Sequence, residues 1–529
     1  MDGMRKVNII GAGLSGLSAA ITLAREGIGC NLISSQPSER AQSVLAEGGI
    51  NAALDTMGEH DSPDEHFEDT MRGGCRLEEE SAVRSLTRHA PEVVKELVRL
   101  GVPFRSENGR LMLRNFGGQK KKRTAYAKSS TGKMIMTALI DEARRYEAEG
   151  LIERFPHHEL VDMDIQNVSL RSVTVRDSYS GGGLSFPGPV ILCTGGLNGF
   201  FEGATTGTTQ NTGSAAAIAF LEGVRFANLE MIQYHPTTAQ IGDKRMLISE
   251  AARGEGGRLF TVRNGARWYF MEEKYPELKN LMPRDVVSRE IALLNKESGC
   301  TGEVFLDMTG LDRTAWEARL SDLREEILAY LHIDPKSTPV PVGPGIHFFM
   351  GGIWVNDLHE TDIKALYAAG EAACKYHGAN RLGGNSLLGA IFGGHIAARS
   401  AAKAAVPIDI VPKTLPEGID SSAQERKKLR EALLSGLGIV RTPEAMEQAK
   451  ATIEALTRSE GSSAIDRDRA YLGLAIAESA LLRRESRGAH YRTDYPSSDE
   501  AYKSFTLAER DKDGVRVFLA PKTKEGEQA

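Results

Sequence analysis

Two glycine-rich segments combine the residue types that bind an anionic substrate beside a cofactor. His347 begins the segment HFFMGG, and His377 and Arg381 lie in the segment HGANRLGGNSL, which ends at Leu387. Arginine binds carboxylates through paired hydrogen bonds, histidine can assist it, and glycines let a backbone approach a ligand closely. These residues fall within about 40 positions of one another, which suits one loop-rich site for both substrate and cofactor.

A second group of glycines lies near the N-terminus. An apolar run at residues 7–10 (VNII) precedes Gly11, Gly13 and Gly16, and a helical pattern and a second apolar run at residues 30–33 (CNLI) follow. In such a βαβ unit the first glycine makes the turn, the second admits a pyrophosphate and the third lets the helix pack on the strand. The pattern predicts a dinucleotide cofactor with its pyrophosphate at the helix N-terminus.

The residues after the second predicted strand argue against NAD. NAD-binding units of this kind carry an acidic residue there, which binds a ribose hydroxyl. Ser34 and Ser35 occupy that place. We therefore expect a different dinucleotide, with Ser34 among its contacts.

Composition narrows the class of protein. A chain of 529 residues is too long for one core, so we expect about two to four domains. The net charge of −6 gives no reason to expect a nucleic acid ligand. No run is apolar over the roughly 18 residues that a membrane helix needs, and the N-terminus does not resemble a secretory signal. We expect a cytoplasmic protein without a direct membrane span.

The cysteines predict no metal or iron–sulfur ligand set. There are five, and no two are close in the sequence. Clustered spacing such as CxxC is what iron–sulfur and redox sites require. We expect reduced, structural thiols and no metal site.

Hydrophobic patterns divide the chain. A strand followed by a glycine turn recurs at residues 190–196, whereas residues 235–345 break this alternation and are rich in charged and aromatic residues. From about residue 418 the apolar positions recur at helical spacing, which predicts helices. The last twenty residues are charged, and we expect them to form a frayed tail. We interpret the basic run at residues 120–123 as a solvated turn.

An ordered set of short motifs resembles the flavoprotein subunits of fumarate reductase and succinate dehydrogenase over nearly the whole chain. L-Aspartate oxidase is a close relative of this family. The motifs include AEGGINAA at 46–53, FGG at 116–118, RTAYA at 123–127, NTGSA at 211–215, QYHPT at 233–237, SEAARGEGG at 249–257, PRD at 283–285 and SRGAHY at 486–491.

The resemblance implies an α/β fold. We expect a Rossmann-like FAD-binding domain at residues 1–234 and 346–417, with an inserted α+β capping domain at residues 235–345. A C-terminal helical domain and tail would occupy residues 418–529. These ranges agree with the division that the hydrophobic patterns indicate.

The resemblance also implies a catalytic set. Arg284 matches the family's proton donor, with hydride transfer from reduced flavin to one alkene carbon and protonation of the other. An arginine is a weak acid, so it needs a relay that returns its proton. Glu250 and Arg253 match that relay.

Further matches imply the substrate contacts. Arg381 and His347 match residues that clamp the substrate carboxylates, and His235 and Ser249 match residues that assist them. Phe116 matches an aromatic residue that packs against a dicarboxylate. Aspartate oxidases tend to have an acidic residue near this place, which would bind the substrate ammonium.

The expected cofactor is FAD. Beyond Gly11, Gly13, Gly16 and Ser34, the resemblance places Gly48 and Gly49 beneath the flavin, and Glu371 at a ribityl or ribose hydroxyl. Ser386 and Leu387 should approach the ring near N1 and O2 at a helix start, where the helix dipole favours the reduced anionic flavin.

Two departures from the family pattern bear on function. Membrane-bound members have a histidine that bonds covalently to the flavin, and Gln42 stands in its place. An amide cannot form that bond, so we expect non-covalent FAD, which in the family favours fumarate reduction over succinate oxidation. Phe349 stands where many relatives have a hydroxyl residue, so the sequence leaves open whether the pocket is shaped for a larger or less polar substrate.

The leading hypothesis is the flavoprotein subunit of a fumarate reductase. L-Aspartate oxidase and the succinate dehydrogenase flavoprotein subunit are the alternatives, and a subunit that mainly transfers electrons inside a larger complex is another. Because the chain lacks an iron–sulfur motif, we expect an iron–sulfur partner subunit. Such a partner would hold the protein at the inner face of the membrane.

Overall fold

A parallel sheet forms the centre of the nucleotide-binding region. The computed structural model describes residues 4–127, 130–512 and 514–520. The sheet contains, in spatial order, the strands Leu366–Ala368, Val190–Leu192, Arg5–Ile10, Gly29–Ser34 and Ile152–Pro156, and Val406–Pro407 pairs antiparallel with Arg5–Ile10. The predicted βαβ unit is confirmed, because the helix Leu14–Arg25 connects the two predicted strands.

Helices cover this sheet because their apolar residues are buried against it and against each other. The helix Leu14–Arg25 packs against Thr131–Ala148 and Asn385–Ala402, and the latter also contacts Glu80–Arg99. The small residues Ala19 and Ala20 are fully buried there. Further elements are the helices Pro63–Gly73 and Ser214–Leu221 and the short strands Ile50–Asn51, Thr124–Ala125, Leu113–Arg114, Ser106–Glu107 and Arg110–Leu111.

Two antiparallel sheets extend the structure. One contains Val411–Pro412, Gly183–Pro187, Ser169–Asp177 and His158–Gln166. The other contains Lys244–Leu247, Ile232–Ile241, Val340–Phe349, Cys300–Asp307, Arg258–Arg263 and Ala266–Trp268, in that order. The second sheet belongs to the segment that we predicted to be inserted, and it carries its own buried core.

Two neighbouring strands lead the chain into and out of the inserted segment. Ile232–Ile241 pairs antiparallel with Val340–Phe349, and His235 is the register partner of Gly345. The predicted boundaries at residues 235 and 345 therefore lie beside each other in one pair of strands. The assignment of separate domains stays a prediction. The segment also contains the helices Ala251–Gly254, Phe270–Lys274, Arg284–Leu293 and Ser321–Leu331.

The C-terminal region begins with three helices, as the apolar spacing predicts. The helices Ala423–Gly436, Pro443–Thr457 and Ala464–Leu482 pack together around residues that include Leu429 and Ile453. Thr442 and Ser463 accept hydrogen bonds from backbone N–H groups of the second and third helices, which caps their N-termini.

The prediction that the last twenty residues form a frayed tail is wrong in part. Phe505–Asp511 and Gly514–Ala520 form an antiparallel hairpin, and the first of these strands pairs with Phe226–Ala227. Phe226–Ala227 also pairs with Gly352–Trp354, which is parallel to Ala373–Cys374. The hairpin thus completes a sheet whose other strands come from distant parts of the chain, so composition alone does not reveal it. Residues 521–529 of the predicted tail lie outside the described part.

The interpretation of residues 120–123 as a solvated turn is wrong for Arg123. Its side chain is fully buried and lies 2.9 Å from carboxylate oxygens of both Asp61 and Asp69. The two carboxylates come from the loop and helix at residues 61–73, which stabilises an otherwise costly buried charge. Lys120 and Lys122 are exposed. No helix in the described ranges is long and apolar enough to cross a membrane.

Candidate functional site

A cavity of about 710 Å³ lies along the carboxyl ends of the parallel strands. Its size is in the range of small-molecule and cofactor sites, and ligands of open α/β sheets bind at this edge. The cavity brings together eight of the predicted site residues, namely Gly11, Gly13, Ser34, His347, Glu371, Arg381, Ser386 and Leu387.

Within the first glycine turn, Gly13 is the position that leaves room for a ligand. A Cβ at Gly11 would lie 2.2 Å from the carbonyl oxygen of Cys193, and one at Gly16 would lie 1.8 Å from the carbonyl oxygen of Gly11. Gly13 lines the cavity, and the nearest neighbour of an added Cβ would be Ser43 Oγ at 3.4 Å. The helix begins at Leu14, so its positive end can hold a phosphate of the cofactor.

A second helix start lies at another wall of the cavity. Ser386 and Leu387 are in the first turn of the helix Asn385–Ala402 and line the cavity. Asn385 fixes this turn, because its Oδ1 accepts a hydrogen bond from Asn51 Nδ2 at 2.7 Å and lies 3.0 Å from His66 Nε2. The backbone N–H groups of this turn could hold the electron-rich edge of a flavin.

Glu371 is suited to bind a hydroxyl group. It lines the cavity and accepts a hydrogen bond from the backbone N–H of Phe349 at 3.0 Å. Burial raises the pKa of the Glu371 carboxyl to about 7, and backbone hydrogen bonds from Phe349 and Gly196 offset this only in part. A cofactor hydroxyl would supply a further hydrogen bond, so this set of residues fits FAD.

Three predicted cofactor glycines lie outside the lining of the cavity. They are Gly16, Gly48 and Gly49. A Cβ at Gly49, where φ is +141°, would lie 2.6 Å from the carbonyl oxygen of Ala125, and one at Gly48 would lie 3.2 Å from the ring of Phe116. These glycines permit close packing behind the wall of the cavity, and their contact with the flavin stays a prediction.

Beside the cavity, Glu250 forms a buried ion pair with Arg284. Its Oε2 accepts hydrogen bonds from Nε at 2.9 Å and Nη2 at 2.6 Å. Arg253 Nη2 lies 3.4 Å from Oε1 of the same carboxylate. Burial alone would raise the pKa of Glu250, but the charges of Arg284 and Arg253 outweigh it and lower the pKa to about 2. The proposed relay residues are therefore in direct contact.

The two predicted substrate histidines meet across the antiparallel strand pair. The ring centroids of His235 and His347 are 5.2 Å apart. Thr206 Oγ1 lies 2.8 Å from His347 Nδ1. Burial, followed by the charge of Arg284, lowers the pKa of both imidazoles well below the ordinary value. Both rings are neutral near pH 7, so each has one nitrogen that donates a hydrogen bond and one that accepts.

Arg381 is buried without an ion pair among the described residues. It is 2% exposed, and its Nε has no hydrogen-bond partner there. Burial lowers the pKa of its guanidinium well below the usual value, and the charge of Arg284 lowers it further. A buried cation of this kind calls for an anionic ligand.

Gln233 links Arg284 and Arg381, a role that the sequence motifs do not indicate. Its Nε2 donates hydrogen bonds to Asn380 Oδ1 at 2.7 Å and to the carbonyl oxygen of Arg381 at 2.9 Å, while its Oε1 accepts one from Arg284 Nη1 at 3.3 Å. The sequence indicates this only through the position of Gln233 two residues before His235, which places both on the same side of a strand.

The remaining predicted residues are buried outside the lining of the cavity. Ser249 is 3% exposed and directly precedes Glu250, and Phe116 is 2% exposed. A Cβ at Gly383 would lie 3.0 Å from Phe116 Cβ and 3.3 Å from Glu250 Oε2, so the loop before Ser386 passes close to both. Side chains from the inserted segment and from the nucleotide-binding region thus converge. Their individual roles stay predictions.

Family profiles and relatives agree with this arrangement. The profile described as an FAD binding domain matches residues 6–387, and the profile described as the fumarate reductase flavoprotein C-terminus matches residues 466–525. The chain is 35% identical to a succinate dehydrogenase flavoprotein subunit of Bacillus subtilis, over 97% of this chain and 94% of that protein. It is also 35% identical to an L-aspartate oxidase of Mesorhizobium japonicum, over 93% and 92%.

A solved structure shows the same fold. A mutant FrdA chain of E. coli quinol fumarate reductase superposes with a TM-score of 0.87, at 29% identity, over 99% of this chain and 98% of that one. Fold, cavity and profiles together define an FAD-dependent oxidoreductase. The chain belongs to the family of succinate dehydrogenase and fumarate reductase flavoprotein subunits, to which L-aspartate oxidase is close. The predicted resemblance, fold class and cofactor are confirmed.

A single methyl group at Gly13 tests the predicted pyrophosphate contact. Gly13→Ala adds a Cβ that makes only an ordinary contact within the protein, at 3.4 Å from Ser43 Oγ. We expect the thermal unfolding of the protein without FAD to change little, and the affinity for FAD to fall at least about tenfold. The ratio of flavin to protein absorbance after gel filtration measures this.

Gly310→Ala is the matched control, since nothing lies within 4 Å of a Cβ added there. Neither Gly13 nor Gly310 has the positive φ that disfavours alanine, so the two variants differ in their surroundings and not in backbone strain. Gly310→Ala should retain FAD. Full FAD occupancy in Gly13→Ala would contradict the assignment of this turn to the cofactor.

Proposed function

We propose that this protein is the flavoprotein subunit of a fumarate reductase and converts fumarate to succinate with non-covalently bound FAD. The observation that carries the proposal is an excess of buried cations beside the cavity. Arg253, Arg284 and Arg381, here called the arginine cluster, are at most 8% exposed. Among the described residues, Glu250 is the one carboxylate that forms ion pairs with them. A dicarboxylate would balance the remaining charge.

In this proposal, one carboxylate of fumarate binds Arg381 through two parallel hydrogen bonds. His347 and His235, neutral and 5.2 Å apart, donate hydrogen bonds to the carboxylates, and Ser249 assists. Phe116 forms the apolar wall against the alkene. This arrangement fixes the orientation of the alkene relative to the cofactor, which is a large part of enzymatic rate acceleration.

FAD bound in this cavity, once reduced by the electron donor, would supply the hydride that one alkene carbon receives and would be left oxidised. Arg284 then donates a proton to the other carbon, which requires a guanidinium held at a fixed angle. Its two hydrogen bonds to Glu250 and one to Gln233 hold it so. Glu250 and Arg253, in contact at 3.4 Å, return a proton to Arg284.

Gln42 supports two parts of the proposal: that FAD is bound non-covalently, and that the protein reduces fumarate faster than it oxidises succinate. It lines the cavity, and its Oε1 accepts a hydrogen bond from the backbone N–H of Thr208 at 2.5 Å. The amide is thus held by the protein and has no atom able to bond covalently to a flavin. In the family, the loss of that bond lowers the flavin potential, which favours the reduction of fumarate.

The charge of the cluster disfavours L-aspartate as the substrate. The ammonium of aspartate would enter a site with three arginines, where Glu250 is already bound to Arg284. Phe116 offers no charge to bind it. An unpaired buried ammonium costs several kcal/mol, on the order of the desolvation penalties of charged groups.

We further propose an iron–sulfur partner subunit, which would attach this protein to the membrane from the inside. Two observations support it: relatives at 35% and 32% identity are flavoprotein subunits by name, and the five cysteines are dispersed. Copurification of a cysteine-rich protein with the tagged chain from its own cells would support this. Isolation of an active chain that accepts electrons only from small molecules would contradict it.

Steady-state kinetics with three compounds test the proposed function. We expect kcat/KM for fumarate reduction to exceed that for L-aspartate oxidation about 100-fold or more, because a cost of about 3 kcal/mol corresponds to that factor. Succinate oxidation should also be slower than fumarate reduction. If L-aspartate proved the best substrate, with iminoaspartate as product, L-aspartate oxidase would replace fumarate reductase as the proposed function.

Acid precipitation of the same preparation tests the proposed non-covalent binding of FAD. The yellow FAD should be released into the supernatant, and yellow colour retained by the protein pellet would contradict non-covalent binding.

Arg284→Lys tests the proton donor. Lysine keeps the charge but cannot form both hydrogen bonds to Glu250. We expect fumarate reduction by reduced viologen to fall at least about 1,000-fold, the scale of a lost general acid, while the flavin spectrum is unchanged. Arg289→Lys is the control, because Arg289 is on the same helix but its guanidinium lies over the ring of Tyr491. Substantial turnover in a folded Arg284→Lys variant would contradict the assignment of Arg284 as the proton donor.

A further inference from the structure

Phe348 covers the face of the Arg381 guanidinium. The Cζ atom of Arg381 lies 4.5 Å from the centroid of the Phe348 ring. Phe348 is 7% exposed and lines the cavity next to His347. A guanidinium over an aromatic face at this distance is attracted by the negative charge of the π system, more strongly where water is excluded.

This contact replaces the interactions that usually stabilise a buried cation. Within the described ranges, no carboxylate forms an ion pair with Arg381, and its Nε is buried without an acceptor. Arg284 and Arg253, in contrast, share the carboxylate of Glu250. Arg381 can therefore keep its hydrogen-bond donors for a ligand only if something else fixes the plane of the guanidinium.

The ring of Phe348 is itself fixed on another side. The imidazole of His377 meets it edge to face, with centroids 5.1 Å apart and an interplanar angle of 82°. His377 is tightly packed, because a Cβ at Gly389 would lie 3.3 Å from its ring. Burial, followed by the charge of Arg381, lowers the pKa of His377 to about 3, so the ring is neutral and does not repel the guanidinium.

The neighbouring aromatic residue does not share this role. Phe349 packs with its ring centroid 5.7 Å from that of Phe201, in the core of the nucleotide-binding region. The two adjacent phenylalanines therefore have different environments. Phe349 packs in a hydrophobic core, whereas Phe348 lies between the Arg381 guanidinium and the His377 imidazole.

We propose that Phe348 is a positioning residue that holds Arg381 in the plane required to bind one carboxylate of the substrate, with His377 as its support. The inference rests on the proposed function in that it takes the ligand of Arg381 to be a dicarboxylate. It adds a specific cause for the orientation of the clamp, namely the aromatic face and not merely the bulk of residue 348.

Two substitutions separate the aromatic face from the bulk. Phe348→Leu removes the face and keeps an apolar side chain, whereas Phe348→Tyr retains the face. We expect Phe348→Leu to raise the Kd of succinate, measured by perturbation of the FAD spectrum, about tenfold. The KM of fumarate should rise by a similar factor with kcat changed less, because Arg381 binds the carboxylate in both ground state and transition state. Phe348→Tyr should stay within about twofold of the wild type.

Phe220→Leu is the control for the loss of a buried ring. Phe220 is fully buried, pairs with Phe226 and lies outside the lining of the cavity. This substitution should lower the unfolding temperature without changing the Kd of succinate.

The outcomes distinguish this inference from the proposed function. A wild-type Kd in Phe348→Leu, or an equal rise in the leucine and tyrosine variants, would overturn the positioning role while fumarate reduction by the wild type stands. If L-aspartate proved the best substrate and Phe348→Leu alone weakened succinate binding, the positioning role would stand and the proposed substrate would fall. If the wild type bound no dicarboxylate, both would fall.

Discussion

The burial of three guanidinium groups, only two of which pair with a carboxylate among the described residues, is the constraint on which the site depends. A buried charge is tolerated only where ion pairs and hydrogen bonds replace water. Glu250 provides this for Arg284 and Arg253, and the charges of these two arginines lower the pKa of its carboxyl to about 2 although burial alone would raise it. Arg381 has no such partner among the described residues. The cluster therefore carries a net positive charge, which in the proposed function the two carboxylates of the substrate neutralise.

Several distant parts of the chain hold the cluster together. The paired strands Ile232–Ile241 and Val340–Phe349 carry His235 and His347, where the chain enters and leaves the segment predicted to be inserted. Gln233 joins the loop of Arg381 to Arg284 through hydrogen bonds. The C-terminal region supports that loop from behind. Ala489 donates a backbone hydrogen bond to the carbonyl oxygen of Ala379 at 2.9 Å. The SRGAHY motif is thus part of the framework of the site although it lies outside the cavity.

Local signals in the sequence predict the parts of the structure that depend on neighbours along the chain. The glycine spacing predicts the βαβ unit because its turn, helix and strands are consecutive. The sequence is silent where the partner is remote. Arg123 looks like part of a solvated basic run until Asp61 and Asp69 are placed beside it. The hairpin of Phe505–Asp511 and Gly514–Ala520 is hidden in the same way, because it completes a sheet begun at Phe226. The motifs identify the site residues by resemblance, but they do not show which of them share a hydrogen bond.

The affinity for a dianion relative to a monoanion of the same length tests the central claim most directly. Succinate and butanoate differ in one carboxylate, and each can be titrated against the FAD spectrum of the wild-type protein with no electron acceptor present. If the arginine cluster is built for two carboxylates, succinate should bind about 30-fold or more tightly than butanoate, since a hydrogen-bonded charge contributes about 2 kcal/mol or more. Equal affinity for the two compounds would contradict the account.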